Sequence, residues 1–134
     1  MATYTKFQQF VEDLAHGVHD LETDAITVAL SNTAPSASAD AVLGDITTVS
    51  TANLDDITLT VSSSSQTSGT YKLVLADKTM TASGAVGPFQ YVIIYNDTAS
   101  NKELICWYDY GSAITLASGD TFKLDFGTEL FSLA

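Results

Sequence analysis

His16, His19 and Glu22 form the best metal-like spacing in the chain, since ligands three residues apart on a helix can share a face. Zinc takes three or four convergent ligands, however, and the chain holds no second His pair and only one Cys, Cys106. Gly17, between the two histidines, marks a helix end. Both histidines are expected to be structural or at the surface, with no metal and no cofactor. Asp40, Asp45, Asp55 and Asp56 offer hard oxygens of the kind calcium takes, but their spacing fits no D-x-[DN]-x-[DN]-G loop. Asp109 and Asp125 come nearest to the carboxylate pair of glycoside chemistry, which needs a separation of roughly 5–10 Å. There is no G-x-S-x-G elbow and no glycine-rich phosphate loop, so no catalytic residue is assigned. Cys106, between Ile105 and Trp107, reads as a small buried hydrophobe. Asn96-Asp97-Thr98 matches the glycosylation acceptor pattern and reads here as a surface turn. Tyr91, Tyr95, Trp107, Tyr108 and Tyr110 offer either a sugar-stacking platform or rings that stack across a core.

The elements that must position these groups are mostly strands. Phe89 to Tyr95 is a dense run of aromatic and β-branched residues, Asn96 to Lys102 gathers turn formers, and Glu103 to Tyr108 is a second apolar run. Together they predict a hairpin at the centre of a sheet, with Asn96 to Lys102 as its exposed turn. Thr5 with Gln8 three residues later makes a capping box, and Phe7, Phe10, Val11 and Leu14 follow one helical stripe, so a helix is predicted over about 5–16, ended by Gly17. At about three turns it must dock its apolar face, on its own β domain or on a partner. Further strands are predicted at Ala25 to Ser31, Asp45 to Val49, Ile57 to Val61, Tyr71 to Ala76, Lys78 to Ala82, Ala113 to Leu116 and Thr121 to Phe126, with TELFSLA as a short strand or docking peptide. Ser62 to Gly69 reads as a long surface loop, the alternatives being a domain boundary or a strand end with a Ser and Thr ladder. Many short strands without crossover helices predict an all-β fold, an antiparallel β-sandwich or jelly roll with one short N-terminal α-helix, as a single domain over residues 1–134.

The chain has 134 residues, 46% of them hydrophobic and 16% charged, a balance that lets it bury apolar surface and excludes the polar signature of disorder. Its formal net charge of -11 opposes nucleic acid as a partner, because such binding grows with Lys and Arg contacts to phosphate. Anionic membrane surfaces are opposed on the same ground, and no stretch approaches the ~20 apolar residues that span a bilayer. MATYTKFQQF lacks the basic and apolar segments of a secretory signal, which predicts a chain made and left in the cytosol.

Three stretches carry a resemblance: TYTKFQQFVEDLAHGVHDLETDAITVALSNTAP, SSSSQTSGTYKLVLAD and GPFQYVIIYNDTASNKELICWYDYGSAITLASGDTFKLDF. In overall pattern they resemble small virion proteins of tailed bacteriophages, of the capsid decoration or cement type. The resemblance implies a jelly-roll or sandwich fold, no enzymatic activity and a place on the capsid surface after synthesis in the host cytoplasm. It also implies the major capsid protein as partner and self-association as a dimer or trimer. On that reading the partner contacts are Phe7, Phe10 and Val11 of the helix and Leu130, Phe131 and Leu133 of the tail. A head-to-tail, tail or fibre component and a carbohydrate-binding module are the alternatives.

Overall fold

The N-terminus enters as a strand, where a helix is expected from Thr5. In the computed structural model, which describes residues 2–134, Thr3–Lys6 forms β1 and pairs antiparallel with a later strand, Thr5 lying opposite Trp107. The Thr-Tyr-Thr run prefers a pleated surface, and a Thr5 already engaged in a ladder cannot cap. Phe7 takes the N-cap position with extended backbone and no capping side chain. The helix α1, Gln8–Ala15, is instead started from outside, the Gln8 N–H donating to the Ala37 carbonyl at 2.9 Å. Its end follows expectation: Gly17 has φ +75°, its N–H donates to the Leu14 carbonyl, and that of Val18 donates to the Asp13 carbonyl.

In β2, Ile26–Ser31, all six residues are buried, so both faces of the strand are covered and alternation is necessarily weak. The run Asp45 to Val49 forms a strand only at β3, Thr48–Val49, because Leu43–Asp45 is a 3-10 turn held by the Asp45 carboxylate, which accepts the Ala41 and Val42 N–H groups. Of the run Ile57 to Val61, only Val61 belongs to a regular strand. The run touches β2 through two bonds, Val28 N to Ile57 O and Leu59 N to Ile26 O, around a single bridge.

The serine tract is not a loop. Val61–Thr67 is strand β4, and Ser68 and Gly69, both at positive φ, turn it into β5, Thr70–Leu75. As an outer strand with mostly exposed residues, β4 has no need of an apolar face. Its hydroxyls bond sideways instead, Ser64 to the Tyr71 hydroxyl at 2.8 Å. The strand is longer than the strand end expected as an alternative, and the side-chain bonds that accompany it come from serines: Ser62 to the Val74 carbonyl, Ser63 with Ser65, and Ser64 to Tyr71.

β6, Lys78–Thr81, precedes the long pair β7, Val86–Asn96, and β8, Leu104–Leu116. The expected separate strand at Ala113 to Leu116 is the far end of β8, reached across a register shift between the Phe89–Ile114 and Tyr91–Asp109 pairs. Asp109 secures that irregularity by accepting the Gly111 N–H and the Gln90 amide. β9, Thr121–Leu124, stops short of Phe126, whose N–H donates to Asp77. β10, Phe131–Leu133, closes the chain against β5.

The described residues form an all-β fold of three antiparallel sheets with one short α-helix: β1-β8-β7-β2-β3, β10-β5-β4 and β6-β9. The hairpin of β7 and β8 lies at the heart of the largest sheet, with β7 its middle strand. The buried apolar residues form one cluster that takes in Phe7 and Phe10, the β2 and β7 runs, Leu73, Met80, Leu124 and Leu130. Gly87 sits in the register irregularity between the Val86–Leu116 and Phe89–Ile114 pairs of β7 and β8: at φ +104°, an added Cβ would stand 2.6 Å from the Ile114 carbonyl oxygen. Gly87→Ala is therefore expected to cost about 2–4 kcal/mol, from left-handed backbone strain plus overpacking. Urea denaturation checks this, and a midpoint equal to wild type would contradict the close approach.

Candidate functional site

The groups proposed for chemistry are scattered, and most are engaged in holding turns. Asp40 accepts the Ser36 N–H, Asp55 those of Thr81 and Asp56, and Asp56 that of Thr58 together with the Lys78 ammonium at 2.7 Å. These donors hold three carboxyls below the usual carboxylate range: Asp45 through the Ala41 and Val42 N–H groups, Asp55 chiefly through the Thr81 N–H, and Asp56 chiefly through Lys78. Asp109 is lowered too, by the Gln90 amide first and the Gly111 N–H second, while Asp125 accepts the N–H of Gly127. Asp109 and Asp125 thus serve two separate turns. Among the described residues, no three His, Cys, Asp or Glu side chains are grouped as a metal ion would require. No described helix is long and apolar enough to cross a membrane.

The two histidines part company. His16 is the exposed C-cap of α1, whereas His19 is buried against Phe10, ring centroids 5.1 Å apart. Its partner is Asn96, which is fully buried and not part of an exposed turn as expected; the turn residues after it are exposed, apart from the half-buried Ala99. Asn96 Oδ1 accepts the Thr98 and Ala99 N–H groups, so its Nδ2 is the atom that meets Asp24 Oδ2 at 2.7 Å and His19 Nδ1 at 3.0 Å. His19 Nδ1 must then accept, which places the ring proton on Nε2. Nε2 and Asp13 Oδ2 are both buried without a hydrogen-bond partner among the described residues. Burial pushes the His19 pKa down, against the opposing pull of Asp13, Glu103 and Asp24.

Cys106 is fully buried, and burial pushes its thiol pKa well up, as befits a core hydrophobe. The aromatic set divides. Trp107 and Tyr95 are buried, Trp107 stacking on Phe7 at 4.6 Å, while Tyr91, Tyr108 and Tyr110 are half-buried and Tyr110 meets Phe122 edge-on.

The apolar residues expected to meet a partner also divide, and the division defines the site. Phe7, Phe10 and Leu130 are core residues of this chain, at 0%, 1% and 4% exposure. Val11 and Leu133 are 52% and 54% exposed, and Phe131 is half-buried with its ring edge-on to Phe10. With Tyr4, Val11 and Leu133 are the chain's exposed large hydrophobic residues among those described, and all three line one groove. Tyr4 and Lys6 of β1 form one bank, Val11 and Leu14 of α1 lie along it, and Phe131, Ser132 and Leu133 of β10 form the other bank. The hollow, of about 400 Å³, continues past Leu14 and Leu133 into a second of about 480 Å³, bordered by His19, Asp20, Leu21, Glu22, Ser64 and Tyr71. Sequence reasoning found Val11, Phe131 and Leu133 and missed Tyr4 and Lys6. Their spacing of two on a β-rich run is the signal that places them on one face of a strand.

Comparison with protein-family models, with curated proteins and with solved structures gives no match.

Proposed function

We propose that this protein is a non-enzymatic structural component of a tailed-bacteriophage virion, a capsid decoration or cement protein that docks on the major capsid protein. The observation that carries the reading is the gathering of every exposed large hydrophobic described, Tyr4, Val11 and Leu133, on one groove of an otherwise acidic β domain. A surface of that kind favours a binding role. The resemblance of the three long segments supplies the virion, the capsid partner and the jelly-roll form of the fold. A cement protein stabilises an assembled shell by binding it in preference to its separate subunits, which asks for contact area and no reacting group. A net charge of -11 would keep many copies apart before assembly and favours an outer position over one facing packaged DNA.

Cryo-electron microscopy of the virion tests the reading. Density for this chain over the head, at a copy number in the hundreds, is the expected result. Confinement to the tail at a few copies would establish the tail or fibre alternative, and absence from the particle would remove the virion reading altogether.

A further inference from the structure

β1 and β10 are each the last strand of their sheets, but they meet the groove differently: β1 lines it with Tyr4 and Lys6 of one face. All three consecutive residues of β10 line the hollow, although Ser132 points away from the face shared by Phe131 and Leu133. A side-chain face would offer alternate residues only, so the groove runs along the strand's open edge. Such an edge, beside apolar hollows, is the receiving geometry for an added strand.

The charges at its two ends differ in sign. All five basic residues are lysines, and Lys72, Lys78, Lys102 and Lys123 are each paired with a carboxylate, of Glu129, Asp56, Asp97 and Asp77 respectively. Lys6 makes no such pair among the described residues, and it lines the first hollow and not the second. Past Leu14 and Leu133, the other end carries Asp20 and Glu22 with no lysine beside them.

We infer that the groove takes an extended segment of another protein as an extra strand beside β10. That segment seats apolar side chains against Val11, Leu14 and Leu133, with a carboxylate meeting Lys6 and a lysine or arginine meeting Asp20 and Glu22. A second copy of this chain fits poorly. The groove is concave, and among the described residues the exposed large hydrophobics that could fill it already belong to it, so none of those residues offers an apolar projection elsewhere to act as the plug. Two chains of charge -11 would also repel.

The inference rests on reading the groove as the docking surface of a binding protein, and its test needs no virion. Nine-residue peptides with alternating Leu and Ser at the centre carry Glu and Lys at their ends as E…K, K…E, E…E and K…K, and binding to the full chain is followed by fluorescence anisotropy. One of the two mixed peptides is expected to bind best, its identity fixing the direction of the added strand. Val11→Asp, at an exposed site, should weaken it by about tenfold or more, by placing a charge against the apolar contact. Lys6→Glu should move the preference toward K…K, and Glu22→Lys toward E…E, each by about three- to fivefold, the size of a solvent-exposed ion pair. Circular dichroism melting shows whether each variant is folded.

Absence of binding by all four peptides, or preferences that Lys6→Glu and Glu22→Lys leave unchanged, would overturn the inference. So would sedimentation showing a wild-type dimer that Val11→Asp dissociates, which would give the groove to a second copy. Peptide binding with no virion density removes the virion reading alone; virion density over the head with no peptide binding removes the added strand alone.

Discussion

Phe7→Ala is expected to lower the unfolding free energy by about 3–5 kcal/mol, the cost of deleting a large aromatic side chain from a packed core. Val11→Ser, one helical turn further on, should change it by no more than about 0.5 kcal/mol, as exposed substitutions do. Both residues belong to the same apolar stripe, and the structure separates them: Phe7 is fully buried on Trp107, whereas half of Val11 faces the groove. Phe7 also stands where β1 ends and α1 begins, its N–H donating to the Ile105 carbonyl at 3.2 Å, so its loss loosens the seat of both elements. In urea titrations, Phe7→Ala should show a lower midpoint at unchanged slope, with Val11→Ser overlying wild type. A large loss at Val11 with none at Phe7 would mean that the helix presents its opposite face to the core.

That separation marks the boundary of what the sequence can convey. The β7 and β8 hairpin is legible because Val92 to Tyr95 and Leu104 to Trp107 are buried on both faces, and two unbroken apolar runs say so without reference to any partner. The N-terminus is harder, because Thr3 to Gln8 fits a capping box and a β-rich run at once. The tie is broken by a ladder with β8, about a hundred residues away in sequence. The serine tract fails for a related reason: polar composition predicts coil only where no strand waits beside it, and β5 does. The groove is assembled from residues 4–14 and 131–133, and its far hollow adds Asp20, Glu22, Ser64 and Tyr71. Neither segment alone reads as more than an amphipathic end. Asn96 is the sharpest case. Its residue type announces a turn, and it does make one, but it does so from inside the core, with an amide already committed to His19 and Asp24.

That commitment gives the second large effect. Asn96→Ala removes the acceptor of two turn N–H groups and the donor to two buried or half-buried partners, and should cost about 2–4 kcal/mol. The pH dependence is the finer test. His19 is neutral in the fold, and its pKa lies below the ordinary 6.5 because burial opposes the charged ring more than Asp13, Glu103 and Asp24 favour it. With the folded value lower than the unfolded one, the unfolded chain binds the proton more readily. Stability is therefore complete above pH 6.5 and falls as pH drops from there toward the folded value. A second decline, from Asp45, Asp55, Asp56 and Asp109, begins only near their ordinary 3.8 and continues below it, since their folded values are lowered. His19→Gln should erase the upper decline and leave the lower one. Asn96→Asp should reverse it. A carboxylate oxygen in place of Nδ2 would call for a proton on His19 Nδ1 and raise the folded pKa above 6.5, so that this pairing stabilises at low pH and is lost as pH rises through the raised value. Urea midpoints measured from pH 5 to 8 for the three proteins decide the matter. If wild type and Asn96→Asp decline in the same direction, the assigned amide orientation is wrong and His19 does not accept through Nδ1.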